Sequence, residues 1–182
     1  MKKILLHTCC GICFSYPSTL LRELGYEVVS YFYNPNIYPK EEFLRRRDEL
    51  IKYLEKYNFE YIVEEYNEED FENISKGLES EPERGKRCNE CFYLRLSKTA
   101  QKAVELNIPE FSTTLTVSPH KISSIIKAQG EEAEKKFGKN ITKFTFFDFK
   151  KQNGFKKTNE IAFKEEMYRQ NYCGCLYSIK NN

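Results

Sequence analysis

Two apolar runs, KILLH at residues 3–7 and EVVSYFY at 27–33, stand on either side of one helix-length segment that stops at Gly25. That spacing constrains the fold more than any other feature of the chain. Strands joined by a tight turn pair antiparallel, whereas strands joined through a helix come back side by side in parallel. The segment reads as strand, helix over about Ser15–Leu24, and strand again. The alternation continues. Pro39–Tyr57 predicts a helix with Phe43, Leu44, Leu50, Ile51 and Leu54 along one side, and Glu60–Val63 a third strand. An acidic helical piece and a loop around Glu79–Arg87 lead to a helix over Cys91–Leu106. Phe111–Leu115 predicts a fourth strand. Ser118-Pro119 should then serve as N-cap and first turn of a helix carrying Ile122, Ile125 and Ile126. A fifth strand is expected over Phe144–Phe149, and a last helix towards Tyr172. The pattern is that of an α/β fold, a single domain over 1–182 with a mainly parallel sheet flanked by helices.

In such sheets ligands bind beyond the carboxyl ends of the strands. Cys9, Cys10 and Cys13 follow the first strand and Thr113-Thr114 close the fourth, so both belong to that edge. Hydrophobic residues make up 40% of the chain, enough for a packed core. The 29 basic and 27 acidic residues nearly cancel, so a nucleic-acid partner would have to be met by a local patch. The apolar run after Met1-Lys2-Lys3 stops at His7, too soon for a secretion signal, and no stretch is long enough to span a membrane. The expected location is the cytoplasm. There, seven cysteines point to metal or redox chemistry rather than structural disulfides.

The cysteines form three groups: Cys9-Cys10-x-x-Cys13, Cys88-x-x-Cys91 and Cys173-Gly174-Cys175. One isolated buried thiol is usually a small apolar side chain, but clustering of this kind is not explained that way. Close-spaced thiolates converge on a metal. Two Cys-x-x-Cys units could close a tetrahedral zinc site. A chain with its own core has no need of a structural zinc, however, and vicinal cysteines suit a cluster that offers several irons. The residues alone leave zinc and an iron–sulfur cluster both open. Cys173-Gly174-Cys175 can form a strained, readily reduced disulfide, or supply two further metal ligands. His7 and His120, the two histidines, are assigned no role.

LLHTCCGIC (5–13), YNPNIYPKEEF (33–43), RCNECFYLRL (87–96), TTLTVSPHK (113–121) and YRQNYCGC (168–175) together resemble the QueH-type, cobalamin-independent epoxyqueuosine reductases, in order and across nearly the whole chain. One departure is Gly11-Ile12, where that family often has Ala-Pro. The resemblance implies a Rossmann-like (HUP-like) fold. It also implies reduction of epoxyqueuosine to queuosine at the wobble position of tRNA, the last step of queuosine synthesis. The cofactor it implies is a [4Fe-4S] cluster on Cys9, Cys10, Cys88 and Cys91, with one additional iron beside it. Cys173 and Cys175 would be the redox-active pair, and Cys13 would reach the second iron or line the site. An electron donor of unidentified nature is needed.

Removing an epoxide oxygen as water takes two electrons and two protons. A cluster delivers electrons singly, a dithiol delivers two, and an open iron polarises the oxygen. For tRNA, FKKQNGFKKTNE (149–160) is the expected basic flank. Lys150, Lys151, Lys156 and Lys157 would meet phosphates, with Phe149 or Phe155 stacking on a base. Arg45, Arg46 and Arg47 are a second candidate, or simply the polar face of a helix. A competing class is the ATP-dependent, PP-loop type of tRNA-modifying enzyme. It needs a Gly- and Ser-rich phosphate loop after the first strand, where this chain has Thr8-Cys9-Cys10-Gly11. A zinc-dependent RNA-binding module is a third class, and it leaves the last cysteine pair unexplained.

Overall fold

A computed structural model describes residues 2–179. Five parallel strands form one sheet: β1 (Lys2–His7), β2 (Tyr26–Phe32), β3 (Glu60–Val63), β4 (Glu110–Thr113) and β5 (Lys143–Phe144). Their order is β3-β2-β1-β4-β5. The chain builds outward from β1 in one direction, then crosses to its other side at β4. This reversal leaves a crevice at the carboxyl ends of β1 and β4, where His7 pairs with Thr113.

β1 is apolar on both faces because both are covered. Ile4 and Leu6 join Val28 and Phe32 in a core under α1 (Gly11–Glu23) and α2 (Lys40–Lys56). Leu5 joins Val29, Tyr31 and Phe111 in a second core under α4 (Lys86–Glu105) and α5 (Ser123–Phe137). The short α3 (Glu69–Ser75) precedes α4, and α6 (Gly154–Lys164) packs beside α1. Among the described residues no helix is long and apolar enough to cross a membrane.

Five elements depart from the sequence expectation. α1 begins at Gly11 rather than near Ser15, because the Cys10 sulfur accepts the Cys13 N–H and caps the helix. α4 begins at Lys86, which puts Cys88 as well as Cys91 inside it. Ser118-Pro119 does not start α5. The Ser118 hydroxyl accepts the His120 N–H in a local turn, and Lys150 Nζ takes the Ser118 and Lys121 carbonyls at 3.3 and 2.6 Å. The fifth strand ends at Phe144. Beyond it the backbone is bonded to a side chain, with Thr116 Oγ1 donating to the Phe147 carbonyl and accepting the Phe149 N–H. The last helix stops at Lys164, and an irregular segment carries Tyr172 and the final cysteines.

A candidate thiol centre at the sheet edge

At the end of β1, buried His7 ties the crevice walls together. Its Nδ1 lies 2.9 Å from Thr113 Oγ1 and its Nε2 3.2 Å from the Tyr33 carbonyl. Thr113 Oγ1 already accepts the Leu115 N–H, so its hydroxyl proton goes to Nδ1 and the ring keeps its proton on Nε2. Burial, helped by the Arg95 charge, pushes the imidazole pKa down to about 3. His7 is thus a neutral structural bridge.

Cys9, Cys10 and Cys13 follow at once, and their sulfurs all lie within 4.8 Å of one another. A strand end and a helix cap put them there: Cys9 leaves the strand, Cys10 caps α1, and Cys13 sits one turn into it. Hydrogen bonds from Cys10 and Cys13 hold the Cys9 thiol well below its ordinary pKa, against burial. For Cys10 the bond from Cys13 likewise lowers the pKa. The bond it gives Cys9, together with burial, prevails and takes it up to about 12. The bonds Cys13 gives to Cys10 and Cys9, then burial, raise it as well. Within the trio, negative charge is thus favoured on Cys9 over Cys10 and Cys13. Gln170 Nε2 donates to Cys10 Sγ at 3.0 Å, and the Cys9 sulfur lies 3.6 Å from Thr114 Oγ1.

Cys9 and Cys13 line a cleft of about 400 Å³ together with Cys88, Cys91, Cys173 and Cys175; Cys10 lies just behind, 4.0 Å from Cys9 between sulfurs. Burial raises Cys88, and raises Cys91 to about 12, with the thiols of Cys173 and Cys175 within electrostatic reach of both. Of the ligand set expected from sequence, the structure gathers Cys9 and Cys10 tightly with Cys13, while Cys88 and Cys91 line the same cleft from α4. The donor chemistry fits a soft metal or an iron–sulfur group: convergent sulfurs that accept N–H bonds from Gln170, Cys13 and Arg84, as thiolate ligands require.

The cleft wall carries five arginines and Lys121 against the single carboxylate of Glu83, so it favours an anionic substrate. Arg95 is 2% exposed and bonds the Cys91 carbonyl. For Lys121, burial opposes the charge, but Cys173, Cys9 and Cys13 outweigh it and raise the pKa. Sequence reasoning passed over both residues, although each lies in a segment quoted above.

The basic flank splits. Lys150 is bonded into the 118–121 turn and Lys156 pairs with Glu160, while Lys151 and Lys157 are exposed. Phe149 is core, whereas Phe155 is 41% exposed and lines the cleft. The Arg45–Arg47 candidate needs correction at its centre. Arg46 is buried because it shares the α2 stripe with Phe43 and Leu50, three and four residues away, so it cannot meet RNA.

A parallel α/β sheet whose thiols collect in a cationic crevice where the strand order reverses defines a class, the Rossmann-like proteins with clustered thiols that could bind a metal. The family profile described as epoxyqueuosine reductase QueH matches residues 4–181. Proteins called epoxyqueuosine reductase QueH are similar to this chain along almost all of it. That of Streptococcus pyogenes serotype M1 is 39% identical, over 97% of this chain and 70% of its own length. That of Haemophilus influenzae is 36% identical, over 100% and 73%. The chain belongs to the epoxyqueuosine reductase QueH family.

Among solved structures, the U34-tRNA thiolase NcsA of Methanococcus maripaludis, determined with its [4Fe-4S] cluster, superposes with a TM-score of 0.61 at 13% identity. The match covers 98% of this chain and 62% of that one. A predicted subunit of a tRNA methyltransferase from Methanocaldococcus jannaschii gives 0.59 at 14% identity, over 90% and 75%. These likenesses establish the shared fold.

Proposed function

We propose that the chain is an epoxyqueuosine reductase, an oxidoreductase that removes the epoxide oxygen of epoxyqueuosine at the tRNA wobble position and leaves queuosine. One observation carries this reading: the family match spans 4–181, and within it six cysteines face one cationic cleft. The reaction consumes two electrons and two protons, breaks both carbon–oxygen bonds of the epoxide, and forms an alkene and water. Bound in the cleft, a [4Fe-4S] cluster with an adjacent iron supplies single electrons and a Lewis acid, without cobalamin.

Cys9, Cys10, Cys88 and Cys91 are assigned to hold the cluster, and Cys13, third of the trio, offers its sulfur to the further iron. Cys173 and Cys175 give two electrons and two protons on closing to a disulfide, which an external donor reopens. The tRNA docks at the cleft mouth, in the cytoplasm. Arg84, Lys121 and Arg169 line the cleft, and Lys151, Lys156 and Lys157 are assigned as its basic flank, Lys150 being held by the 118–121 turn. The modified base leaves its stack to enter, with Phe155 available for stacking.

Anaerobically purified protein should contain about four iron and four sulfide per chain and convert epoxyqueuosine in tRNA over many turnovers when given a reductant. Full activity with stoichiometric zinc and no iron overturns the cofactor assignment. Iron-replete protein that leaves epoxyqueuosine untouched overturns the function.

A further inference from the structure

The segment around Cys173 and Gly174 runs irregularly into a short 3-10 turn at Leu176–Ser178 with Cys175 as its N-cap, and ahead of that turn its backbone is held by α2 and the loop after β2. Arg46 Nη1 donates to the Cys173 carbonyl at 3.0 Å and Nη2 to the Tyr172 carbonyl at 3.3 Å. The next carbonyl, that of Gly174, accepts the Tyr38 N–H at 2.8 Å. The guanidinium is itself oriented: Glu42 Oε1 takes Nε at 2.7 Å, and Tyr168 OH donates to the same carboxylate. Gly174 has φ +124°, and a Cβ there would come within 3.0 Å of Arg46 Nη1. All three bonds to the loop use its main-chain oxygens. Among the described residues, neither the Cys173 nor the Cys175 sulfur has a hydrogen bond.

We propose that Arg46 is the positioning residue of the Cys173-Gly174-Cys175 loop: its Glu42-oriented guanidinium holds two successive carbonyls, the Tyr38 N–H holds the third, and the loop is thereby docked on the wall of the thiol cleft with both sulfurs free to react. Because the clamp grips only backbone, the pair can pass between dithiol and disulfide without breaking it. The cost of ordering the loop is met by the fold in advance, which is what a site that needs sulfur and substrate within reacting distance requires. The inference rests on Cys173 and Cys175 being the redox pair. A long, charged side chain is well suited to this task. Its two parallel N–H donors fix direction as well as distance, which a lysine ammonium does not.

The test uses full-length, iron-replete protein with Arg46→Met, Arg46→Lys and Gly174→Ala, the last two guarding against misfolding of the first. For Arg46→Met, kcat should fall about 10- to 100-fold, the expected effect of a small misplacement, while KM for tRNA and the iron content hold. Alkylation of Cys173 and Cys175 should become faster at the same time, since an undocked loop is more accessible. Arg46→Lys should recover part of kcat, and Gly174→Ala should reproduce the split with Arg46 intact. A Cys173→Ser, Cys175→Ser double variant separates the two readings, because full turnover in it removes the redox-pair assignment whatever Arg46 does. If that variant is dead and Arg46→Met keeps wild-type kcat and alkylation rate, Arg46 is no positioning residue. Loss of iron together with kcat in all the single variants also overturns the inference, because the role is then general to the fold.

Discussion

The two ends of the thiol centre are held by opposite means. Cys9, Cys10 and Cys13 sit where β1 runs into α1, and their positions follow from a strand end and a helix cap. Cys173 and Cys175 sit on an irregular segment that ends in a single 3-10 turn, and a buried arginine and the Tyr38 N–H hold the carbonyls of 172–174. The trio is convergent and fixed by the fold, as suits a ligand set. The loop is fixed at the backbone and free at sulfur, as suits groups that must make and break a bond. Placement by secondary structure resists single substitutions, whereas placement by a side chain does not.

The largest effects should come from exchanging the two ends. Cys10→Ala removes a buried thiol, a helix cap and a proposed ligand together, so iron content and activity should both fall by well over ~100-fold, beyond the usual effect of losing an outer partner. Cys175→Ala should keep its iron and its absorption spectrum, and lose multiple turnover alone. If it strips iron as Cys10→Ala does, the two ends are not distinct.

Next in size is the bridge beneath the trio. Thr113→Val leaves His7 Nδ1 and the Leu115 N–H without partners in a dry site, and thermal unfolding should show a loss of about 1–3 kcal/mol. The same bridge predicts a pH effect. Because the His7 pKa is lowered on folding to about 3, the unfolded chain binds more protons between roughly pH 6.5 and 3. Stability then falls as pH falls through that window, by up to about 1.4 kcal/mol per pH unit. Denaturant titrations at pH 6 and pH 4 should show a shallower pH slope for His7→Asn than for the parent; equal slopes would mean the ring is not buried neutral.

The smallest effects concern the RNA flank. Lys151→Gln and Lys157→Gln should each flatten the salt dependence of tRNA binding by up to about one unit of log–log slope. Lys150→Gln should instead lower stability, since its ammonium is spent on the Ser118 and Lys121 carbonyls.

What could be read from the sequence divides along the same line as the thiol centre. β1, β2, β3 and the trio declare themselves locally, through apolar runs and adjacent cysteines, and the structure places them within a residue or two of expectation. The misplaced start of α5 and the early end of β5 share a different cause. In both, a distant side chain, Lys150 or Thr116, takes backbone groups that local propensity would have used. Such bonds join residues about thirty apart and leave no periodic trace. Arg46 did leave one, since it falls between Phe43 and Leu50 on the apolar stripe of α2. A charge on a buried stripe signals a partner supplied from elsewhere, here the carbonyls of 172 and 173.

The helix cap at Cys10 ties two equilibria together. A sulfur that accepts the Cys13 N–H accepts it more strongly as an anion, at the end of α1 where the helix dipole is positive. Any species that binds Cys10 as thiolate therefore also holds the first turn of α1 closed. By reciprocity, any fraying of that turn loosens the bound species by the same free energy. Amide exchange at residues 11–13 is then a gauge of occupancy that can be read without observing the metal at all.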